Sequence, residues 1–232
     1  VLLREYSLVS AVTRPAKIKR WSGSSADEAC EEGNFTRPSA PLINAKNKKV
    51  LVTGAAGFIA SHVAQACKDL GMEVVGIDDM SGGFIENVPK GVTFVIGDIK
   101  DAHFMEKVFK EHGPFNYVYH LAAYAAEGMS HFIRSYNYRN NLVGSIEVLN
   151  QAIRSGKCEC FVFTSSIAAY GAAKPPIREG DPMHPEDPYG IAKHAVELDL
   201  LAAKELFDMD FMIFRPHNVY GPHQTIADRY RN

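Results

Sequence analysis

The 232-residue chain encodes an α/β domain built on a doubly wound parallel sheet, and three observations carry that expectation. From Lys48 onward, short β-branched runs alternate with longer helical patterns. The first run ends in a glycine turn that leads straight into a helix. The second ends in an acid, Asp78, about 20 residues beyond the turn, the spacing of a ribose-binding carboxylate. Such alternation implies parallel strands joined by right-handed crossovers.

In chain order, strands are expected near 49–53, 73–77, 92–96, 116–120, 160–164 and 211–215, and helices near 57–70, 101–112, 130–155 and 188–207. The first strand feeds Thr53-Gly54-Ala55-Ala56-Gly57-Phe58-Ile59-Ala60, where each small residue has a task. Gly54 permits the tight turn, Gly57 lets a phosphate approach the backbone, and Ala60 lets the helix pack near the sheet. The helix then offers free N–H groups to a pyrophosphate. The pattern G-x-x-G-x-x-A departs at the middle glycine from the G-x-G-x-x-G/A of the Rossmann dinucleotide fold. At the end of the second strand, Asp78 accepts hydrogen bonds from a ribose and repels a 2′-phosphate, which favours NAD over NADP. Asp98, in Gly97-Asp98-Ile99, is placed to accept from an adenine amino group. The fourth strand ends in Leu121-Ala122-Ala123, small residues where backbone must approach a ligand.

Residues 1–46 differ from the rest and read as a flexible N-terminal extension, with 47–232 as the dinucleotide-binding domain. Arg14, Pro15, a Ser-rich stretch at 22–25, an acidic patch from Asp27 to Glu32, Pro38 and Pro41 carry no periodicity. Early Arg and Ser suggest a transit peptide, against which the acidic patch argues. The chain begins at Val1, so its natural start is expected upstream. Asn34-Phe35-Thr36 matches a glycosylation triplet that a cytoplasmic protein would leave unused.

Composition narrows the function classes. With 46% hydrophobic and 22% charged residues, the chain can bury a real core. A net charge of −2 gives no electrostatic case for nucleic acid or an anionic membrane. No apolar run approaches the ~20 residues of a membrane-spanning helix. The four cysteines, Cys30, Cys67, Cys158 and Cys160, are too few for a disulfide scaffold and lack metal-site spacing. Cys67 is expected to be buried, Cys158 and Cys160 to flank an exposed turn. All four read as reduced thiols of a cytoplasmic protein with no metal.

Chemistry concentrates in the second half. Phe161-Val162-Phe163-Thr164-Ser165-Ser166 is a buried strand that ends in hydroxyls at the ligand-binding edge of the sheet. Tyr189 and Lys193 stand four apart at the start of a helix, on one face. An ammonium beside a phenol pulls its pKa down from about 10, which makes Tyr189 a proton acceptor.

Taken together, these motifs resemble an extended short-chain dehydrogenase/reductase of the NAD-dependent epimerase/dehydratase family, and within it the UDP-glucose 4-epimerase group. The likeness runs from about residue 48 to the end. It rests on Thr53-Gly54-x-x-Gly57-Phe58-Ile59, Asp78, Asp98-Ile99, His120-Leu121-Ala122-Ala123, Asn140-Asn141, Ser166, Tyr189/Lys193 and Arg215-Pro216-His217-Asn218-Val219-Tyr220-Gly221. The resemblance implies that NAD is lined by Gly54, Gly57, Phe58, Ile59, Asp78, Asp79, Met80, Ser81, Gly82, Gly83, Asp98, Ile99, Leu121, Ala122, Ala123, Ala125 and Asn140. It further implies that Tyr189 and Lys193 reach the cofactor, that His217 borders the nicotinamide and that Asn218, Ser166 and Tyr189 face a UDP-sugar. Ala60 replaces the family's third glycine. Ala125 stands where some members have a lysine near the phosphates. In these families a smaller C-terminal domain holds most of the substrate nucleotide, so this chain is expected to be truncated there.

The strand-end loop after Ser166 reads Ile167-Ala168-Ala169-Tyr170-Gly171 and holds no carboxylate. Dehydratases and decarboxylases of the superfamily need an acid there, whereas 4-epimerases do not. The expected reaction is therefore UDP-hexose epimerisation by transient oxidation at C4. The alternatives are an NAD-dependent dehydratase, decarboxylase or reductase, or a non-catalytic dinucleotide-binding paralogue. Glu127-Gly128-Met129-Ser130-His131 forms either a loop over the site or the plain start of a helix. A homodimer is expected through the helices at 130–155 and 188–207, whose apolar faces include Ile146, Leu149, Ile153, Val196, Leu200 and Leu201. The resemblance implies a four-helix bundle there.

Overall fold

A computed structural model describes residues 45–225 of the chain. The expectations for the N-terminal extension, its glycosylation triplet and Cys30 lie outside those residues.

Six parallel strands form one sheet: β1 (Lys49–Thr53), β2 (Glu73–Asp78), β3 (Thr93–Ile96), β4 (Tyr117–His120), β5 (Cys160–Thr164) and β6 (Phe211–Phe214). Their order is β3-β2-β1-β4-β5-β6, the doubly wound order with a switch point between β1 and β4. Central strands bury both faces, as parallel sheets do. In β1, Val50 and Val52 join one core layer and Leu51 the other. The first layer is completed by Ala60, Ala64 and Cys67 of α1 (Phe58–Asp69). Burial holds the Cys67 thiol up at about 11, so it stays protonated. On the other face, α2 (Ala102–His112), α5 (Gly144–Ser155) and α6 (Pro188–Phe207) contribute Met105, Val108, Val148, Leu149, Val196 and Leu200.

The sequence dictates where these helices start. Asp101 caps α2, accepting from His103 N at 2.9 Å and Phe104 N at 3.2 Å. Asp187 caps α6, accepting from Tyr189 N at 2.8 Å and Gly190 N at 2.9 Å, with Pro188 in the first turn where its missing N–H costs nothing.

Three expectations need correction. The helix predicted at 130–155 is interrupted: α3 (Glu127–Ser130) ends before a turn, α4 (Arg134–Tyr138) follows, and a π-helical turn (Arg139–Val143) leads into α5. Local pattern gave no cause for this break, because its determinants are long-range. Asn137 Nδ2 donates to Pro188 O at 2.8 Å, and Asn141 bonds both the N and the O of Tyr124. Secondly, the apolar faces assigned to an interface belong largely to the core. Leu149, Val196 and Leu200 pack on the sheet, and Ile153 packs against them. Of the six, only Leu201 is exposed, beside Leu198, while Tyr136 and Val143 are exposed on α4 and the π turn. Finally, Cys158 and Cys160 bracket the exposed Glu159 but are themselves half-buried, and Cys160 opens β5. Burial is the main cause that lifts both thiols, Cys158 to about 12.

Candidate active site

The carboxyl ends of the strands surround a cavity of about 310 Å³ at the β1/β4 switch point. Its nucleotide corner is made of backbone. Gly54 sits at φ +75°, and a Cβ there would lie 3.0 Å from Ala122 Cα and N. At Gly83 a Cβ would stand 2.7 Å from the carbonyl carbon of Ala56. Gly57 is the N-cap of α1 and no side chain caps that helix, so its first amides remain for an anion. Asp78 is buried at the end of β2. Its Oδ2 accepts from Ala56 N at 3.0 Å and its Oδ1 from Met80 N at 2.8 Å. The carboxylate thus holds both sides of the cradle. Burial pushes the Asp78 carboxyl up, against the pull of these two amides.

Of the predicted cofactor residues, Gly54, Gly57, Phe58, Ile59, Asp78, Asp79, Ser81, Gly82, Gly83, Ile99, Leu121, Ala122, Ala123, Ala125, Asn140, Tyr189, Lys193 and His217 line the cavity. Ser166 and Asn218 line it too. Two predicted residues stand off its wall. Met80 adopts a left-handed conformation (φ 61°) and contributes its amide to Asp78. The Asp98 carboxylate is paired with Lys100 at 2.9 Å, and the same ammonium donates to Asn140 Oδ1 at 2.6 Å. Lys100 thereby ties Asp98 to Asn140.

The catalytic corner is made of buried side chains. His120 is fully buried and its hydrogen bonds have one consistent direction. Ser145 Oγ donates to Asn141 O at 2.8 Å, so the 2.8 Å contact between His120 Nε2 and Ser145 Oγ is donated by the imidazole. Burial lowers the His120 pKa to about 3, so its Nδ1 carries no proton and accepts from Thr53 Oγ1 at 2.7 Å. Thr53 Oγ1 in turn accepts from Leu121 N at 3.1 Å and Ala122 N at 3.0 Å. One chain of bonds thereby fixes the glycine turn, the β4 end and the π turn together.

Ser166 accepts from Ala168 N at 3.1 Å and is hydrogen-bonded to the Tyr189 phenol. Lys193 Nζ donates to Thr164 O at 2.7 Å and lies 4.9 Å from the Phe163 ring centroid and 5.7 Å from that of Tyr189. The spacing argument brought Tyr189 and Lys193 together correctly but gave the wrong acidity. Desolvation dominates and raises Tyr189 to about 12, with the Ser166 hydrogen bond pulling down and the Glu127 and Asp187 charges pushing up. Desolvation likewise lowers Lys193 to about 7, opposed by the Glu197 charge.

Sequence reading missed the support beneath this pair. Glu197 is buried one helical turn beyond Lys193. It accepts a short hydrogen bond from Ser165 Oγ and a forked pair from Arg215, Nε to Oε1 at 3.0 Å and Nη2 to Oε2 at 2.7 Å. Arg215 Nη1 also donates to Tyr170 OH at 2.6 Å. The i, i+4 spacing from Lys193 was the available signal. Also missed was an acid on the cavity wall: Glu127, at the start of α3, lines it although the loop after Ser166 has none.

The strand order, glycine cradle and Ser166/Tyr189/Lys193 group define a dinucleotide-binding protein of the doubly wound class. The chain belongs to the NAD dependent epimerase/dehydratase family, which it matches over residues 50–231. A UDP-glucose 4-epimerase of Streptomyces lividans is 41% identical over 150 residues, 64% of this chain and 45% of that protein. The structure of a UDP-glucose 4-epimerase of Thermotoga maritima with UDP-glucose superposes with a TM-score of 0.75 at 35% identity, covering 78% of this chain and 59% of that one. That of the Thermus thermophilus enzyme in complex with NAD gives 0.74 at 34% identity, with the same coverage. The chain spans about half the length of the curated relatives it matches. No helix among the described residues is long and apolar enough to cross a membrane.

Proposed function

We propose that the full-length protein is a cytoplasmic nucleotide-sugar epimerase, a UDP-hexose 4-epimerase that oxidises and re-reduces sugar C4. The observation that carries this reading is the convergence of Ser166, Tyr189 and Lys193 on the same cavity as the glycine cradle. The family membership and the UDP-glucose 4-epimerases among its relatives support it.

The cradle suits a dinucleotide, because Gly54 and Gly83 let the chain close against the Ala122 and Ala56 backbone beside the uncapped start of α1. The α1 amides of Phe58 and Ile59 would hold the pyrophosphate, Asp78 the adenosine ribose, Lys193 the nicotinamide ribose, and His217 would border the nicotinamide. When bound, NAD would supply a hydride acceptor and donor and the positive charge of its oxidised ring. Tyr189 takes the proton of the sugar 4-hydroxyl, and Ser166 holds that hydroxyl or relays its proton. In the free protein Tyr189 is a neutral phenol, so the base forms only once positive charge gathers next to it. Asn218 faces the sugar. The keto sugar then turns over and is reduced on its other face.

We infer also that the protein is a homodimer. The half-exposed Leu198 and Leu201 of α6, with Tyr136 and Val143 of the preceding helical run, offer an apolar stripe that a second copy would cover. A monomer mass by light scattering at micromolar concentration would rule against it. Incubating the full-length protein with a panel of UDP-sugars and resolving the products tests the activity. Interconversion of C4 epimers is expected; 4-keto-6-deoxy or decarboxylated products would overturn the reading.

A further inference from the structure

One acid on the cavity wall has no task in the reaction above. Glu127 opens α3, directly after the Leu121–Ala126 segment, and lines the cavity together with Ser166 and Tyr189. Its charge acts on the Tyr189 phenol, so the two stand within electrostatic reach. Partial burial and the neighbouring Asp187 push its carboxyl up, and His131 pulls against them. No hydrogen bond contributes to that balance. Asp187 is occupied, by the α6 amides and by Ser130 Oγ at 3.3 Å. Asp78 and Asp79 on the same wall accept from backbone amides, which leaves Glu127, an exposed acid, free of such a bond among the described acids of the wall.

Its chemistry restricts what can sit there. A carboxylate only accepts hydrogen bonds, so its complement on a sugar is a ring hydroxyl. Glu127 is solvent-exposed, and a uronic acid carboxylate placed against it would meet like charge. Among the described cavity residues no arginine offers relief, and the Lys193 ammonium is already held by Thr164 O. The negative charge also makes the Tyr189 phenolate harder to form, so Glu127 acts against the base unless a ligand takes it up.

We propose that Glu127 selects the sugar: it accepts hydrogen bonds from the hydroxyls of an uncharged glycosyl group and excludes uronic acids. This rests on the nucleotide-sugar epimerase reading and adds a substrate class to it. The test measures Kd for UDP-glucose and UDP-glucuronate by calorimetry on the NAD-loaded full-length protein, and kcat/KM for each, in the parent and in Glu127→Gln and Glu127→Arg. The parent should favour UDP-glucose by about tenfold or more, the worth of a charge-assisted hydrogen bond. Glu127→Gln should narrow that ratio by a similar factor, and Glu127→Arg should shift it towards the uronate. A parent that binds both sugars equally overturns the proposal, whatever the variants do. So does a ratio unmoved within twofold in Glu127→Gln when its NAD affinity and melting temperature match the parent's. Binding of neither sugar would instead bring down the epimerase reading, and this proposal with it.

Discussion

The two corners of the cavity are built by different means. At the nucleotide corner, shape comes from backbone: a left-handed Gly54, a Gly83 with no room for a side chain, and the uncapped start of α1. Asp78 is its only buried acid among the described residues, and it gives two hydrogen bonds' worth of acceptor to amides of the cradle. At the catalytic corner, shape comes from side chains removed from water, among them His120, Asn137, Asn141, Asp187, Lys193 and Glu197. There burial is the main cause that shifts His120, Tyr189 and Lys193. A site made of backbone depends on which residues are small; a site made of buried charge depends on which pairs stay intact.

Four experiments test that contrast. The largest effect is expected at Tyr189. Replacement by Phe in the full-length protein should lower turnover by at least about 10²–10⁴-fold, with NAD binding largely kept. Lys193→Ala should reduce both. Activity within a few-fold of the parent in Tyr189→Phe would remove the phenol from proton transfer.

Next comes the ion pair below it. Arg215→Met leaves the Glu197 carboxylate, 2% exposed, without its cation. Loss of about 3–5 kcal/mol is expected in urea unfolding, since an uncompensated buried charge remains. A loss under about 1 kcal/mol would mean that Ser165 and water suffice.

At the nucleotide corner, Asp78→Ala should weaken NAD binding by about tenfold or more and narrow its gap to NADP. Asp78→Asn, which keeps an acceptor for one amide, should retain more NAD affinity than Ala. Equal or tighter binding of NADP by the parent would remove Asp78 as the selector.

The last test is a pH dependence. Lys193 is lowered from 10.5 to about 7 in the folded protein, so between those values the unfolded chain binds the extra proton. This contribution to stability therefore rises with pH from about 7 to about 10.5, by at most about 1.4 kcal/mol per unit. Stability of the parent relative to Lys193→Met should climb between pH 7 and 9; a flat difference would mean that the buried lysine keeps its charge.

The same contrast explains what the sequence disclosed. Six strands, the helices near 57–70, 101–112 and 188–207 and the Gly54-x-x-Gly57 turn were legible because local pattern determines them. Ser166, Tyr189 and Lys193 were legible because spacing along a strand end and a helix places them. The acidity of Tyr189 was not, since an i, i+4 spacing reports which neighbour is present and says nothing of how much water is absent. The break before α4 and the π turn were hidden for a related reason. Asn137 is held by Pro188, 51 residues away, and Asn141 by Tyr124. Glu127 was noticed only as part of a loop, because nothing in Glu127-Gly128-Met129 says which way the acid faces.

The hydrogen-bond chain through His120 gives the protein a built-in reporter. Thr53, His120, Ser145 and Asn141 lie on separate elements, yet their order depends on one ring proton at Nε2 that has no contact with solvent. Such a proton exchanges only when the surrounding structure opens. Its resonance therefore records the integrity of the glycine turn, the β4 end and the π turn in a single line. A ligand that tightens the cavity slows its exchange, and a substitution that loosens any one of the three elements speeds it. The group with no part in the chemistry is the one from which the state of the site is most easily read.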